Sequence, residues 1–161
     1  MHRSFAAALT VGAVLWSAAL VAAPAILAHG PTALVPAAAT VYAAAGFICH
    51  QRPERSFHIA GIQLPVCARC FGLYLSAMAG AVVGMIAAGA VPGAMRGRMI
   101  LGATALPTAL TFALEVLGLA HPSNMARAIA AIPLGAAGGW IFVKLLAGPA
   151  EEAVPVEGSP H

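Results

Sequence analysis

The three cysteines of the chain lie in one short stretch, CHQRPERSFHIAGIQLPVCARC, at positions 49–70. Cys67 and Cys70 have CxxC spacing, and Pro65 is typical of the first turn of a helix, so both thiols are expected on one helical face. The unpaired N–H groups and the dipole at a helix start stabilise anions, and Arg69 adds a positive charge. The pattern therefore predicts thiols of lowered pKa, which serve metals or redox chemistry.

Zinc binding is the first interpretation of this stretch. Tetrahedral zinc takes Cys and His ligands, and a CxxC pair commonly supplies two of them. Cys49, His50, Cys67 and Cys70 would complete a set of four. Cys49 and His50 are neighbours, which point to opposite sides of an extended chain, so both can bind one ion only if the backbone bends there. His58 is the reserve fourth ligand.

Two other interpretations of the cysteines remain open. The CxxC pair could cycle between dithiol and disulfide, with Cys49 as a shuttle thiol, in a membrane oxidoreductase that passes electrons to quinone. The cysteines could also be small apolar packing residues at the end of a bundle. The residues identify a site and no reaction, so the sequence does not decide whether the chain is an enzyme.

Arginines accompany the cysteines. The guanidinium groups of Arg52, Arg55 and Arg69 match the geometry of an anionic headgroup, a phosphate or a carboxylate. The simpler alternative is that they anchor the chain at a membrane interface. The first alternative would make the protein a lipid-headgroup or partner-binding scaffold without catalysis.

The composition places this stretch in a membrane protein. Of 161 residues, 61% are hydrophobic and 8% are charged, the formal net charge is +3, and the mean hydropathy is +0.90. So few charges cannot coat a water-facing domain, which excludes a soluble enzyme and a nucleic-acid-binding protein as first interpretations. We expect a chain embedded in the lipid bilayer of the cell inner (cytoplasmic) membrane.

The apolar runs predict an all-α transmembrane bundle of four or five spans with a Cys/His-containing loop. Residues 1–148 form a single helical domain with the cysteine loop at 49–74, and the acidic tail 149–161 is expected to be disordered. A cleaved signal peptide is the alternative for the first run. The predicted runs are 5–28, 33–48 (short and containing a proline), 72–91, 99–120 and 124–146.

The span count controls the orientation. If the run at 33–48 crosses, five basic residues share one side against three, which favours a cytoplasmic cysteine loop by the positive-inside rule. With four spans the tally is four against four, and the rule decides nothing. A homo-oligomer could build a transport pathway that one small chain does not.

One acidic residue falls within a span. Thr104, Thr108, Thr111 and Glu115 follow one helical face, and a carboxylate in hydrocarbon should face the bundle interior or a basic partner. Arg127, just across the next loop, is the simplest partner. The pair is predicted to be either an interfacial salt bridge or an intramembrane polar site for a proton or ligand.

Small residues recur at every fourth position from Gly72 through Ala88, with a GxxxG pattern, and Gly135 and Gly139 repeat the spacing in the last span. This pattern predicts close packing of the two helices.

The strings CHQRPERSF (49–57) and PVCARCFGLY (65–74) resemble a family of small bacterial and archaeal membrane proteins of unknown function. SNMAR, at 123–127, is similar to that family's last-loop element. The resemblance implies a multi-pass helical protein with a Cys/His loop, and it implies no activity. The family often carries an Asp-Gly pair after the proline of its penultimate helix, whereas Thr111 and Phe112 occupy the corresponding region after Pro107 here. The residues matched by the resemblance are Cys49, His50, Gln51, Pro53, Arg55, Ser56, Cys67, Arg69, Cys70, Gly72 and Tyr74.

Overall fold

The computed structural model of the chain describes residues 2–87 and 91–148. Within these ranges the chain forms five helices and one two-stranded hairpin. The tail predicted at 149–161 lies outside the described residues. The helices are α1 (His2–His29), α2 (Val35–Gly46), α3 (Ala68–Ile86), α4 (Ala94–Val116) and α5 (Asn124–Ala147), and the strands are β1 (His58–Ile59) and β2 (Ile62–Gln63).

Four of the described helices, α1, α3, α4 and α5, are long and apolar enough to cross a membrane. The shorter α2 has 12 residues, about 18 Å at the rise of an α-helix, which is less than the hydrocarbon thickness. The all-α bundle is therefore confirmed with four candidate spans. With this count the basic residues divide evenly between the two ends, so their distribution favours neither orientation.

Helices α3 and α5 run parallel and pack closely through glycines. A Cβ at Gly72 would meet the backbone of Ala128, and one at Gly80 would meet the backbone of Ala136. On the facing helix, a Cβ at Gly139 would meet the carbonyl of Ala77. Since only glycine leaves room for this approach, the two helices form a rigid pair that starts at the same end of the bundle.

The other two long helices run antiparallel to this pair. In α1, Ala6 packs with Ala81 and Val143 near the ends of α3 and α5. In α4, the Thr108 hydroxyl donates to the carbonyl oxygen of Ala130 at 2.7 Å. The ends of α1 and α4 and the starts of α3 and α5 therefore lie at one end of the bundle, which we call the site end.

The loop from 47 to 67 folds over the site end. The side-chain amide of Gln51 donates to the carbonyl oxygens of Tyr42 and Pro65, both at 2.8 Å. These two bonds connect α2 to the segment just before α3. The backbone of Gln51 has a φ of 48°, a left-handed conformation that is uncommon outside glycine. This conformation turns the chain directly after His50.

The hairpin is completed by side-chain bonds. The Gln63 amide donates to the Gln51 carbonyl oxygen at 2.6 Å, and the Tyr42 hydroxyl donates to the Gln63 carbonyl oxygen. The amide of Asn124 donates to the Ser56 carbonyl oxygen at 3.0 Å, which fastens the loop to the start of α5. The loop is therefore held against two helices.

Candidate functional site

The structure brings the three cysteines together at the start of α3. Cys67 is the N-cap residue and Cys70 lies in the first turn, while Cys49 reaches them from the end of α2. Their sulfur atoms all lie within 4.8 Å of one another, and none is in a disulfide. The backbone N–H of Cys67 donates to the Cys49 sulfur at 3.1 Å, which fixes the two segments relative to each other.

The thiol of Cys67 has a lowered pKa. Hydrogen bonding from the Cys70 thiol, together with backbone N–H groups of the first turn and the Cys49 thiol, outweighs desolvation and lowers the pKa of Cys67 to about 5. Cys67 is half-buried, and Cys49 is 7% exposed. The lowered pKa favours the thiolate form of Cys67, and this half-buried sulfur is accessible from the site end.

The histidines lie outside the sulfur cluster. His50 is exposed, although it lines the same cavity as the cysteines. His58, the reserve ligand, is exposed on β1. Pro65 lies before the N-cap of α3 instead of in its first turn, because the helix begins at Ala68.

The carboxylate of Glu115 forms ion pairs with three arginines beside the cysteines. Glu115 Oε1 lies 2.9 Å from Arg127 Nη2 and 3.1 Å from Arg55 Nε, and its Oε2 lies 3.3 Å from Arg69 Nη2. Arg127 is also held by the side-chain oxygen of Asn124, to which it donates at 2.7 Å. We call these four charged residues, Glu115, Arg55, Arg69 and Arg127, the arginine cluster.

The arginine cluster joins four parts of the chain that are distant in sequence. It ties the loop to the starts of α3 and α5 and to the end of α4. The Arg69 guanidinium carbon also lies 5.4 Å from the ring centroid of Phe112, within cation–π range. Arg52 stands apart, since it faces Glu54 at 3.9 Å with both side chains more than half exposed.

An open cavity of about 360 Å³ connects the two groups. The sulfur cluster and the arginine cluster therefore border one cavity at the site end. The residues lining the cavity are Ile48, Cys49, His50, Gln51, Arg52, Arg55, Cys67, Arg69, Cys70, Phe112 and Arg127.

Some of the residues that build the site are not indicated by the chemistry of their side chains, although Gln51 and Asn124 lie in the strings that carry the family resemblance. Gln51 lies between the cysteine and arginine positions of the loop, and its supporting role appears only from its two backbone acceptors. Gln63, Asn124 and Phe112 are ordinary polar or apolar residues at their positions. The spacing of Glu115 and Arg127 indicates that pair, but not the two further arginines.

Comparison with known proteins agrees with the membrane fold. An uncharacterized protein of Methanocaldococcus jannaschii is 49% identical over 43 residues, which are 27% of this chain and 28% of that protein. An uncharacterized protein of Methanothermobacter thermautotrophicus is 33% identical over 91 residues, covering 55% of this chain and 78% of that protein. No solved structure matches. Residues 49–141, which include both clusters, match the family described as predicted membrane protein (DUF2085), and the chain belongs to that family.

Proposed function

We propose that this membrane protein binds zinc at the site end through the sulfur atoms of Cys49, Cys67 and Cys70, with His50 as the fourth ligand. The observation that carries the proposal is the convergence of three unpaired sulfurs within 4.8 Å of one another. Zinc–sulfur bonds of about 2.3 Å place two ligating sulfurs a little under 4 Å apart, so small side-chain movements bring these residues into range.

The chemistry of the donors supports zinc. Zinc binds thiolates, and the low pKa of Cys67 supplies one without a metal present. His50 lines the same cavity outside the group of three sulfurs, so its ring would move toward them to complete the set of ligands. An ion held here would fix the end of α2 to the start of α3, which is a structural or sensing role.

The test is metal analysis combined with a count of free thiols in the detergent-purified full chain. We expect near-stoichiometric zinc, protection of the three thiols until a chelator is added, and loss of zinc in Cys67→Ser. His50→Ala should weaken zinc binding, whereas His121→Ala, an exposed histidine in the loop before α5, should not. A folded protein with no zinc and three freely reacting thiols would overturn the proposal.

The position of Cys67 favours a second candidate, a thiol–disulfide oxidoreductase. An N-cap thiolate paired with a second thiol in the first turn is suited to attack and resolution. Closing the Cys67–Cys70 disulfide from the Cys67 thiolate and the Cys70 thiol would pass two electrons and the Cys70 proton to a quinone or another disulfide, which would take its second proton from water. Peptide mass analysis across a glutathione redox titration should then find a reversible disulfide between these residues, and its absence at every potential would eliminate this function.

Orientation bears on the choice between the two functions. A site end facing the cytoplasm keeps thiols reduced and suits the metal, whereas an oxidising compartment suits the disulfide. We place the protein in the cytoplasmic membrane with the site end toward the cytoplasm, in keeping with the metal proposal. Labelling of an engineered cysteine in the loop by an impermeant reagent, applied to intact cells and to lysates, tests this placement.

A further inference from the structure

The arginine cluster carries more positive charge than its carboxylate can balance. Three guanidinium groups meet one carboxylate, so the cluster has two positive charges in excess. The side chain of Arg127 is 10% exposed, that of Arg69 is 18% exposed and that of Arg55 is 37% exposed. Charges withdrawn from water to this degree favour an ionic partner beyond the one carboxylate.

The cluster also has unused hydrogen-bond donors. Each guanidinium offers five N–H groups, and a carboxylate accepts about four hydrogen bonds in all. The Nε of Arg69 is buried and has no hydrogen-bond partner among the described residues. Arg127, by contrast, is fixed by both Glu115 and Asn124. The arginine cluster is therefore a preorganised set of N–H donors, and some of these donors are not used by Glu115 or Asn124.

The fold adds positive potential at the same place. The parallel helices α3 and α5 both start at the site end, so the positive ends of their dipoles lie there together. The cavity in front of the arginines has room for a small anion with some of its water, at about 360 Å³. The cavity lies where the candidate spans α3 and α5 begin, and the ends of a helix that crosses a bilayer lie near the lipid phosphates.

We propose that this cavity binds a phosphate-class oxyanion through Arg55, Arg69 and Arg127. The ligand is either free phosphate or the phosphate of an anionic lipid, which present the same oxygens to the guanidinium forks. This site goes beyond the proposed zinc site and does not depend on it, since its donors are guanidinium groups and not sulfur atoms. Glu115 holds the three arginines in place and leaves their outer donors to the ligand.

Two binding measurements on the full chain distinguish free phosphate from the phosphate of a lipid. Equilibrium dialysis of the detergent-purified protein with radiolabelled inorganic phosphate tests the free anion. Native mass spectrometry from nanodiscs that contain phosphatidic acid and phosphatidylcholine tests the lipid. Saturable phosphate binding, or preferential retention of phosphatidic acid, supports the proposal, while no phosphate binding together with equal retention of the two lipids overturns it.

Variants locate the bound anion. Arg69→Gln should weaken binding about 10- to 100-fold, the range expected for losing a charged hydrogen bond. Arg98→Gln, which removes an exposed charge at the other end of α4, should leave it unchanged. Arg55→Gln, on a half-exposed loop side chain, supplies a second test if Arg69→Gln folds poorly. Equal effects of Arg98→Gln and the site variants would overturn the assignment.

The outcome is distinguishable from that of the zinc proposal. Cys67→Ser should lose zinc and retain anion binding, while Arg69→Gln should retain zinc and lose anion binding. If zinc binding fails in the wild type, the anion measurements remain a complete test of the arginine cluster. If Cys67→Ser abolishes anion binding while the protein stays folded, the arginines are not its principal ligands, and the assignment is overturned.

Discussion

Replacing Glu115 by glutamine should destabilise the protein more than any other single loss of charge at the site end. The substitution keeps the shape of the side chain and removes the negative charge that three arginines share. The Glu115 side chain is only 4% exposed, and its closest partner, Arg127, is 10% exposed, so this pair has little access to solvent. Arg127 would be left as a buried cation without its counter-charge.

The expected loss follows from the burial of each pair. Removing one partner of a buried ion pair costs about 3–5 kcal/mol. The pair with Arg55, whose side chain is 37% exposed, is screened by solvent and adds little, about 0–1 kcal/mol. A loss of about 3–5 kcal/mol lowers the folding equilibrium constant by a factor of roughly 100 to 4,000.

The assay is reversible unfolding in mixed micelles of increasing SDS fraction, followed by the fluorescence of Trp16 and Trp140. Glu54→Gln is the matched control, because it makes the same chemical change in an exposed pair and should leave the midpoint unchanged. Adding Arg127→Gln to Glu115→Gln should recover part of the loss, since it removes the stranded charge. If Glu115→Gln behaves like Glu54→Gln, the arginine cluster does not stabilise the fold and our reasoning is wrong.

Two further predictions concern the start of α3 and its packing on α5. In chelator-treated protein, the rate of Cys67 alkylation should stay constant as the pH falls from neutral and should drop to half near pH 5, because the lowered pKa keeps the thiolate populated above that pH. Peptide mass analysis at a series of pH values measures the rate. A midpoint at the ordinary thiol pKa would contradict the prediction. Gly139→Ala should cost about 1–3 kcal/mol in the same unfolding assay, because its methyl group meets the Ala77 carbonyl. Gly138→Ala, which has open space, should be neutral or stabilising by about 0.5–1 kcal/mol, and equal effects of the two would argue against the close packing.

The spans could be predicted from the sequence because hydrocarbon thickness sets their length. The run expected at 72–91 appears as α3 (Ala68–Ile86), and the one expected at 99–120 appears as α4 (Ala94–Val116). Their ends shift by several residues because apolar composition does not mark where a helix is capped. Cys67 caps α3 without a conventional side-chain cap, so no Ser, Thr, Asp or Asn marks that start.

The hairpin at 58–63 was not predicted, and its turn explains why. Ala60 and Gly61 both have positive φ, 50° and 80°, as a two-residue turn of this kind requires. Alanine is disfavoured in that conformation, so the sequence lacks the Asn-Gly or Asp-Gly that usually predicts such a turn. The register is held instead by contacts from outside the hairpin, including the bond from Tyr42 to Gln63.

The candidate site was only partly predictable for a similar reason. The spacing within 49–70 indicates that the cysteines act together, since CxxC geometry is local. The gathering of Arg55 and Arg69 on Glu115 is not local, because the acceptor lies 46 residues beyond Arg69 and is brought there by the packing of α4 on α5. One carboxylate in an apolar helix predicts at least one cationic partner, but it does not predict how many cationic side chains contact it.

A count of charges bears on the choice between the proposed zinc site and the proposed disulfide. Three thiolates around one Zn²⁺ carry a net charge of −1, which offsets part of the excess of two positive charges on the neighbouring arginines. A disulfide between Cys67 and Cys70 removes the negative charge that Cys67 carries at neutral pH and leaves the arginines unbalanced. This count of charges supports the proposed zinc site over the proposed disulfide.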